Sequence, residues 1–542
     1  MSDLFLDRDT RERVEWDYLL SLLEVRSPLG LQYKNRLKPY LPGEEKELKE
    51  ELRRSQKFSQ FISQNRDWLH QLSSNLQELK DLRNSLKKAK EGGRLSVTEL
   101  FEIKRFLFIL ENLKGLMRNR ELSWLARFRP KGAPALFRIL NKGNQSPQSF
   151  YLVDEYSPQL KKLRCEKLEL RSKLEQEKSR IVEELRKMGL EHFHEGEITL
   201  QKETPEASKI LSHPFFYLKS ENLHSLIFAP RLSSEALKWS GRIKEIEVEE
   251  AKREKEVCQV LSRKVANFAE SLEQDTERVA YLDFLLAKSE AALNYEGIMP
   301  QILKGEGKTS VSMSNGVHLP LALRLKEKGY RFHPLSIRLK EGAALLTGAN
   351  MSGKTVLLKT VGLNVCLAQH GMLVPAKSFK LRPFDFVFFS TRGKEQDGLS
   401  AFGAEISGLK RALSLSKKRG LFLVDELARG TNPKEGFAIN AAILKFLSDT
   451  KSTSLFTSHF DGLARVCRVE HWQMAGLGNI SLDQVKLLVK GTSEDLILTL
   501  MEYRLEKVKK EQAVPHDALK IALLLGLDEV VIELAETFLK KV

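Results

Sequence analysis

The chain has 542 residues, of which 42% are hydrophobic and 30% charged, and its formal net charge is +16. This length accommodates roughly three or four domains, and the apolar fraction is sufficient for packed cores. The four cysteines form no C-x-x-C pair, which argues against a zinc site or a disulfide framework and favours a reducing, cytoplasmic location.

The positive charge favours an anionic partner, most commonly nucleic acid, although a soluble lysine-rich surface is an alternative interpretation. The first nine residues lack the basic start and apolar core of a signal peptide. No window of about eighteen residues is apolar throughout, so we expect no membrane span.

The first 150 residues have helical patterns. Apolar residues recur at helical spacing from Val14 to Val25, and the pattern breaks at Ser27-Pro28-Leu29-Gly30. A long charged helical stretch covers residues 44–86, and a helix rich in Phe and Leu covers residues 100–117. We therefore predict a helical domain over residues 1–150.

A basic segment follows the last of these helices. Its aromatic residues, Trp124 and Phe128, lie among five basic ones: Arg118, Arg120, Arg127, Arg129 and Lys131. Such a segment can contact a phosphate backbone while an aromatic ring stacks on a base. The alternative, which is the commoner case, is a basic helix end followed by a loop of Pro and Gly.

Residues 151–295 are predicted to form two long antiparallel helices with a small β insert. Apolar residues from Leu163 to Met188 recur at heptad-like spacing on a charged helix, and a second such helix covers residues 237–272. Between them, short apolar runs near residues 198, 215 and 225 have the character of strands. An ordinary antiparallel coiled coil ending in a loop is the simpler alternative.

From residue 296 to 525 the pattern changes to short apolar runs broken by Gly and Pro, which predicts an α/β domain. Residues 526–542 are predicted to form a C-terminal helix. The fold class is therefore α plus α/β, with a helical region preceding the α/β domain.

The most specific motif lies in this α/β region. It matches G-x-x-x-x-G-K-[ST] through the residues Gly348, Ala349, Asn350, Met351, Ser352, Gly353, Lys354 and Thr355. An apolar run precedes it and a helical pattern follows it, which is the context of a loop that wraps the phosphates of ATP. Lys354 would reach the β- and γ-phosphates, and the Thr355 hydroxyl would hold Mg²⁺.

Two acids end an apolar strand about 70 residues after this loop. Asp425 would support Mg²⁺, and Glu426 can take a proton from an attacking water. His459 follows a further apolar run and can sense or stabilise the transferring phosphoryl group, although a packed structural histidine is its alternative. Ser400 precedes a predicted helix, where it can bind phosphate or simply cap that helix.

The order of these motifs is that of the ABC-type ATPases, and their details resemble the MutS family. The resemblance rests on six segments: 347–355, 369–376, 400–405, 425–432, 457–460 and 518–534. The first looks like the family's T-G-P-N-M-x-G-K-[ST] loop, and the fourth like its D-E-x-G-R-G-T-S motif. Upstream, the two long helices with a β tip look like the family's lever and clamp.

The resemblance implies a homodimer in which ATP lies between two protomers. Lys354 and Thr355 would bind ATP and Mg²⁺ in one protomer, while Ser400 would contact the γ-phosphate held by the other. Asp425 and Glu426 would serve the metal and the water, and His459 would sense the γ-phosphate. Closure of the dimer would move the levers and couple the nucleotide state to the clamps.

Departures from the family pattern limit what is expected. About 300 residues precede the ATPase region and show no Phe-x-Glu element, so we expect no classical mismatch reading. No Smr-type nuclease tail follows Val542, so we expect no endonuclease activity. Ala349 replaces the usual Pro, and Pro515-His516-Asp517 replaces the usual S-Y-G.

Three functions remain open on the sequence. The first is an ATP-dependent clamp on DNA, favoured by the resemblance and by the net charge. The second is an ATPase that remodels or reactivates a protein partner, such as a cobamide-dependent aminomutase. The third is an ATPase that acts on structured RNA or a ribosome.

Overall fold

A computed structural model describes residues 5–187, 197–304, 309–390, 401–428, 431–460, 462–477, 480–488, 500–508 and 517–539. These residues pack as two compact units. Unit 1 combines residues Met1–Gln77 with Ala280–Val542, and unit 2 is Glu78–Val279. The sequence predicted domain boundaries near residues 150, 295 and 525. The two compact units do not test these boundaries, which stay predictions.

The described α-helices are α1 (Arg8–Arg13), α2 (Trp16–Ser21), α3 (Pro28–Asn35), α4 (Glu45–Gln64), α5 (Arg66–Gln77), α6 (Arg83–Lys90), α7 (Val97–Leu116), α8 (Pro134–Leu140), α9 (Pro158–Lys187), α10 (Pro205–Leu211), α11 (Ser234–Ala266), α12 (Ala269–Asn294), α13 (Leu319–Glu327), α14 (Lys354–Gln369), α15 (Ala401–Ser414), α16 (Pro433–Ser448), α17 (Leu463–Cys467), α18 (Leu482–Leu488), α19 (Ala518–Leu524) and α20 (Glu529–Leu539). A 3₁₀ helix covers Arg120–Phe128. None of the described helices has both the length and the apolar run that crossing a membrane requires.

The described strands are β1 (Ile198–Gln201), β2 (Phe216–Glu221), β3 (Ser225–Pro230), β4 (Gln301–Ile302), β5 (Thr309–Gly316), β6 (Leu335–Lys340), β7 (Gly342–Thr347), β8 (Ser378–Leu381), β9 (Phe386–Phe389), β10 (Gly420–Asp425), β11 (Thr453–Thr457), β12 (Glu470–Gly476) and β13 (Glu502–Lys507). The predicted mixture of helix and sheet is therefore confirmed.

Unit 1 is built on a six-stranded sheet of order β13-β12-β7-β11-β10-β9. Its neighbouring strands run parallel except β13, which is antiparallel to β12. Because neighbouring strands are parallel, β7, β10 and β11 end at the same edge of the sheet, and the loops that follow them meet there.

Helix α14 lies at the centre of unit 1. It packs against β10 and β11 of the six-stranded sheet and against β5, a strand of a second sheet of order β4-β8-β5-β6. Most of its residues are buried, as expected for a helix that is apolar all round. Helix α16 packs against β7 and β11 of the same six-stranded sheet.

The first 77 residues belong to this unit. Leu6 forms a parallel bridge with Val387 on the edge strand β9, and the Phe5 carbonyl accepts a hydrogen bond from Val387. Ser27 caps α3 by accepting a hydrogen bond from the Gly30 amide, and Pro28 occupies its first turn. The expected interruption at residues 27–30 is thus also the start of a helix.

Unit 2 contains the long helices α9 and α11, which pack side by side. Arg164 pairs with Glu254 while Arg171 pairs with Glu247, so residue numbers rise on one helix as they fall on the other and the pair is antiparallel. An antiparallel sheet of order β1-β3-β2 lies between these helices in the chain. Its core, around Phe216 and Phe228, includes Ile181 of α9.

Two helix predictions were too long. The stretch 44–86 contains three helices, because Asn65 leaves the helical conformation after α4 and the chain leaves it again after α5. The helix predicted over residues 237–272 ends at Ala266, and α12 begins at Ala269. Charged helical periodicity continues across such short breaks, so pattern alone does not reveal them.

Candidate functional site: the loop between β7 and α14

The loop of residues 348–353 joins the end of β7 to the start of α14. Gly348 and Gly353 have φ angles of 145° and 93°, which side-chain-bearing residues rarely adopt. A Cβ atom on Gly348 would also lie 2.9 Å from the Met474 Cβ and the Ser352 Oγ. The loop conformation therefore depends on glycine at this position.

Polar groups of the loop bond to one another. The Ser352 hydroxyl donates to the Ala349 carbonyl at 2.7 Å. The Lys354 ammonium donates to the carbonyls of Gly348 at 2.7 Å and Ala349 at 3.0 Å. This lysine is buried, and its positive charge lies at the N-terminus of α14, where the helix dipole also favours an anion.

Asp425, the last residue of β10, connects this loop to the neighbouring strands. One carboxylate oxygen accepts a hydrogen bond from the Thr355 hydroxyl and the other from the Thr457 hydroxyl, both at 2.8 Å. The Asp425 amide donates to the Ser390 hydroxyl. A carboxylate beside a threonine hydroxyl is an oxygen ligand set that suits Mg²⁺, so Thr355 and Asp425 fit the predicted metal role.

Glu426 lies between two nitrogen-bearing side chains. Its Oε1 is 3.6 Å from the Lys354 ammonium and 2.5 Å from the Nε2 of His459. The Glu426 side chain is only 8% exposed, whereas that of His459 is 39% exposed. The Glu426 carboxylate is therefore largely shielded from solvent, whereas solvent reaches the His459 imidazole.

The backbone around Glu426 is held in an uncommon conformation. Glu426 and Ala428 both have positive φ, at 51° and 60°. The Glu426 amide donates to the Thr457 hydroxyl at 2.9 Å, and the Ala428 amide donates to the Glu405 carboxylate at 3.2 Å. These two hydrogen bonds hold Glu426 and Ala428 in the positive-φ conformation just after β10. Backbone strain of this kind in non-glycine residues is concentrated at functional sites.

A cavity of about 260 Å³ opens beside this turn. Asn350 from the loop, Glu426, Ser458 and His459 all contribute to its lining. A phosphate-sized group at the loop and a water near the Glu426 carboxylate would share this space. The arrangement can orient an attacking water and accept its proton.

All predicted site residues that the structure describes lie together at one edge of the six-stranded sheet. They are Gly348, Ala349, Asn350, Met351, Ser352, Gly353, Lys354, Thr355, Asp425, Glu426 and His459. Ser400 lies outside the described residues, so its predicted contact with the γ-phosphate stays a prediction.

His471 is a site neighbour that the sequence did not indicate. It lies on β12, and its Nε2 is 2.8 Å from the Thr347 hydroxyl, just before the loop. Burial lowers the pKa of His471, which favours the neutral imidazole. The position has no motif around it, and only the pairing of β12 with β7 brings it to the loop.

Comparison with known proteins bears on this site directly. The family model for MutS domain V matches residues 344–542, a range that contains every predicted site residue. Among similar proteins, "Endonuclease MutS2" of Aquifex aeolicus is 27% identical over 469 residues, 82% of this chain and 57% of the relative. Residues 344–542 belong to the MutS family as its domain V.

Two further relatives carry the same name. The protein of Caldanaerobacter subterraneus subsp. tengcongensis is 28% identical over 398 residues, 71% of this chain and 48% of the relative. That of Agathobacter rectalis is 34% identical over 230 residues, 41% of this chain and 28% of the relative. The matches of this chain thus span from about a quarter to somewhat over half the length of these curated relatives.

Proposed function

We propose that this MutS-family protein is an ATPase that couples hydrolysis to the binding of DNA. The observation that carries the proposal is the convergence of Lys354, Asp425, Glu426 and His459 on one loop and one cavity. A packed structural histidine would not need a buried carboxylate beside it, so the pairing of His459 with Glu426 favours the catalytic interpretation.

Binding of ATP would use the loop and the start of α14. The amides of the loop and the Lys354 ammonium are donors for phosphate oxygens, and they lie where the helix dipole favours negative charge. Thr355 and Asp425 would hold Mg²⁺, which supplies charge neutralisation of the phosphates.

Hydrolysis would use Glu426 as the base. Its carboxylate would orient a water and accept the proton as the water's oxygen attacks the γ-phosphorus. His459, hydrogen-bonded to the same carboxylate, would hold Glu426 in place and contact the γ-phosphate. Release of ADP and phosphate would then return the loop to its starting state.

Homodimerisation is part of the proposal. A stripe of apolar side chains on α20 supports it, because Val530, Leu534 and Phe538 are 64%, 55% and 62% exposed and recur every four residues. A second copy of the chain would cover this stripe and bring its own Ser400 to the bound ATP. Sedimentation of the ATP-bound protein would test this, with a monomer under all conditions contradicting it.

DNA as the partner is supported by the net charge of +16 and by the family. The relatives that match this chain are named endonucleases. A protein-remodelling function has no observation in the described residues that favours it over DNA.

The test is the ATPase rate with and without duplex, branched and single-stranded DNA, at two salt concentrations. We expect stimulation that weakens as salt rises, because phosphate contacts release counterions. Lys354→Ala serves as the control for contaminating ATPases and should be inactive with every DNA. A rate indifferent to all DNAs would contradict the coupling to DNA.

A further inference from the structure

The basic segment after α7 belongs to unit 2 and takes no part in the ATP site. We propose that the exposed arginines of this segment, Arg118, Arg120 and Arg127, form a binding surface for the phosphate backbone of duplex DNA. This inference rests on the proposed function, because it names the surface that the DNA would contact.

Charge is the first argument for this surface. Residues 118–131 contain five basic side chains and one acidic side chain, Glu121. Arg118, Arg120 and Arg127 are exposed, and within the described part of the chain no acidic side chain forms an ion pair with any of them. The guanidinium of Arg127 lies over the Phe128 ring, 5.9 Å from its centroid, but the ring does not neutralise the charge, so all three arginines remain available to an anion.

Other arginines of unit 2 provide a contrast. Arg164, Arg171 and Arg242, on the long helices α9 and α11, each pair with at least one glutamate. Their charge is balanced within the helix pair. Among the described residues, Arg118, Arg120 and Arg127 have no such glutamate partner, and they lie within ten residues of one another on the 3₁₀ helix Arg120–Phe128 and beside it.

The shape of the segment also suits a phosphate backbone. Leu122 and Leu125 are buried on one face of the 3₁₀ helix, and the exposed Arg120 and Arg127 lie on its two other faces. With a rise of about 2.0 Å per residue, nine residues extend about 18 Å, and a single DNA strand carries a phosphate about every 3.4 Å along the helix axis. Several phosphates can therefore face the segment at once.

The segment is rigidly held at both ends. The Asn119 side chain caps it by accepting from the Glu121 amide, and Arg129 donates to the Met117 carbonyl at 2.7 Å. The fully buried Asp275 carboxylate accepts hydrogen bonds from the amides of Lys131 at 2.9 Å and Gly132 at 2.8 Å. Because the backbone is fixed in advance, binding an anion there costs little ordering of the chain.

The experiment compares two variants of the full chain that each lose three positive charges. The first is Arg118→Gln/Arg120→Gln/Arg127→Gln. The control is Lys46→Gln/Arg53→Gln/Lys57→Gln, which changes exposed residues of α4 in unit 1. Fluorescence anisotropy of a labelled DNA duplex measures the dissociation constant over a series of salt concentrations, and circular dichroism verifies that both variants are folded.

We expect the arginine variant to bind DNA at least about tenfold more weakly at low salt, with the log–log salt dependence reduced by roughly 2 to 3, since each phosphate contact contributes about 0.9. The control should behave like the unchanged protein. Equal effects of both variants, or no effect of either, would overturn the surface while leaving DNA binding itself intact.

Failure of the proposed function would be seen separately. If the unchanged protein shows no salt-dependent DNA binding, the coupling to DNA is wrong and the surface with it. If the arginine variant loses affinity for an RNA duplex but keeps its affinity for DNA, the surface is an RNA surface and the proposal for DNA is overturned.

Discussion

The ion pairs beside α14 in unit 1 and those between α9 and α11 in unit 2 differ in their exposure to solvent. In unit 1, Glu51, Lys288, Lys354 and Glu426 are nearly removed from solvent, and each has a charged partner close by. In unit 2, the ion pairs between α9 and α11 are partly or largely exposed, as with Arg171 and Glu247. Deleting one member of a buried ion pair leaves the other charge unpaired in the protein interior, which is strongly destabilising. When one member of an exposed pair is deleted, water solvates the remaining charge and the cost is small.

The largest effect is expected at the buried pair of Lys288 and Glu51. Lys288 also donates to the Gly371 carbonyl at 3.1 Å, directly after α14, and the Tyr281 hydroxyl donates to Glu51 at 3.0 Å. Burial acts to raise the pKa of Glu51, but the charges of Lys288 and Arg54 outweigh it and hold that pKa below its usual value. Lys288→Met should therefore lower the free energy of unfolding by about 3–5 kcal/mol, measured by denaturant titration.

A double variant is the matched control for this pair. Lys288→Met/Glu51→Leu removes both charges, so it should be less destabilised than Lys288→Met alone. If the double variant loses as much stability as the two single changes together, the pair is not coupled and the contrast between the units is weakened.

A second large effect should appear as a pH dependence of stability. His370 is fully buried beside Trp16, and burial lowers its pKa to about 4. In the unfolded chain its pKa is about 6.5, so the unfolded state binds more protons between pH 6.5 and 4, and stability falls as the pH falls through this range. At pH 5 the loss should be about 2 kcal/mol relative to pH 7.

His370→Phe tests this origin of the acid sensitivity. The phenylalanine cannot take up a proton, so the stability of the variant should change less between pH 7 and pH 5, as measured by denaturant titration at each pH. A variant with the same slope as the unchanged protein would show that His370 does not contribute. His318, whose pKa burial also lowers to about 4, should account for part of the remaining slope.

The metal role of Thr355 predicts a smaller effect on activity. Thr355→Val removes the hydroxyl that bonds to Asp425, so the Mg²⁺ concentration for half-maximal ATPase activity should rise by roughly tenfold, about 1.4 kcal/mol. Thr360→Val is the control on the same helix, because the Thr360 hydroxyl donates to the Val356 carbonyl and, among the described residues, has no bond to Asp425. Equal Mg²⁺ dependence in both variants would remove Thr355 from the metal site.

The smallest effects are expected in the helix pair of unit 2. Arg171 forms one exposed ion pair with Glu247, so Arg171→Met should change the free energy of unfolding by less than about 0.5 kcal/mol. Arg164 is less exposed and bonds to Glu250, Glu254 and the Leu152 carbonyl, so Arg164→Met should cost more, about 1 kcal/mol. A larger loss from Arg171→Met than from Arg164→Met would contradict the argument from exposure.

The sequence indicated which residues meet at the candidate site more completely than it indicated the framework around them. Gly348, Lys354 and Thr355 occur in one contiguous motif whose geometry is local, and Asp425 and His459 follow strands that the apolar runs reveal. His471 could not be found this way, because it reaches the loop only through strand pairing. The packing of residues 5–77 with the six-stranded sheet depends on long-range contacts such as Leu6 with Val387, which periodicity does not encode.

The most direct test of the central claim is to measure ATP binding and ATP hydrolysis in Glu426→Gln. Glutamine keeps the shape of the side chain but cannot act as the base. We predict that the variant binds ATP with nearly unchanged affinity and hydrolyses it at least about a hundredfold more slowly than the unchanged protein. Hydrolysis at the normal rate would remove Glu426 from the mechanism and contradict the assignment of the site.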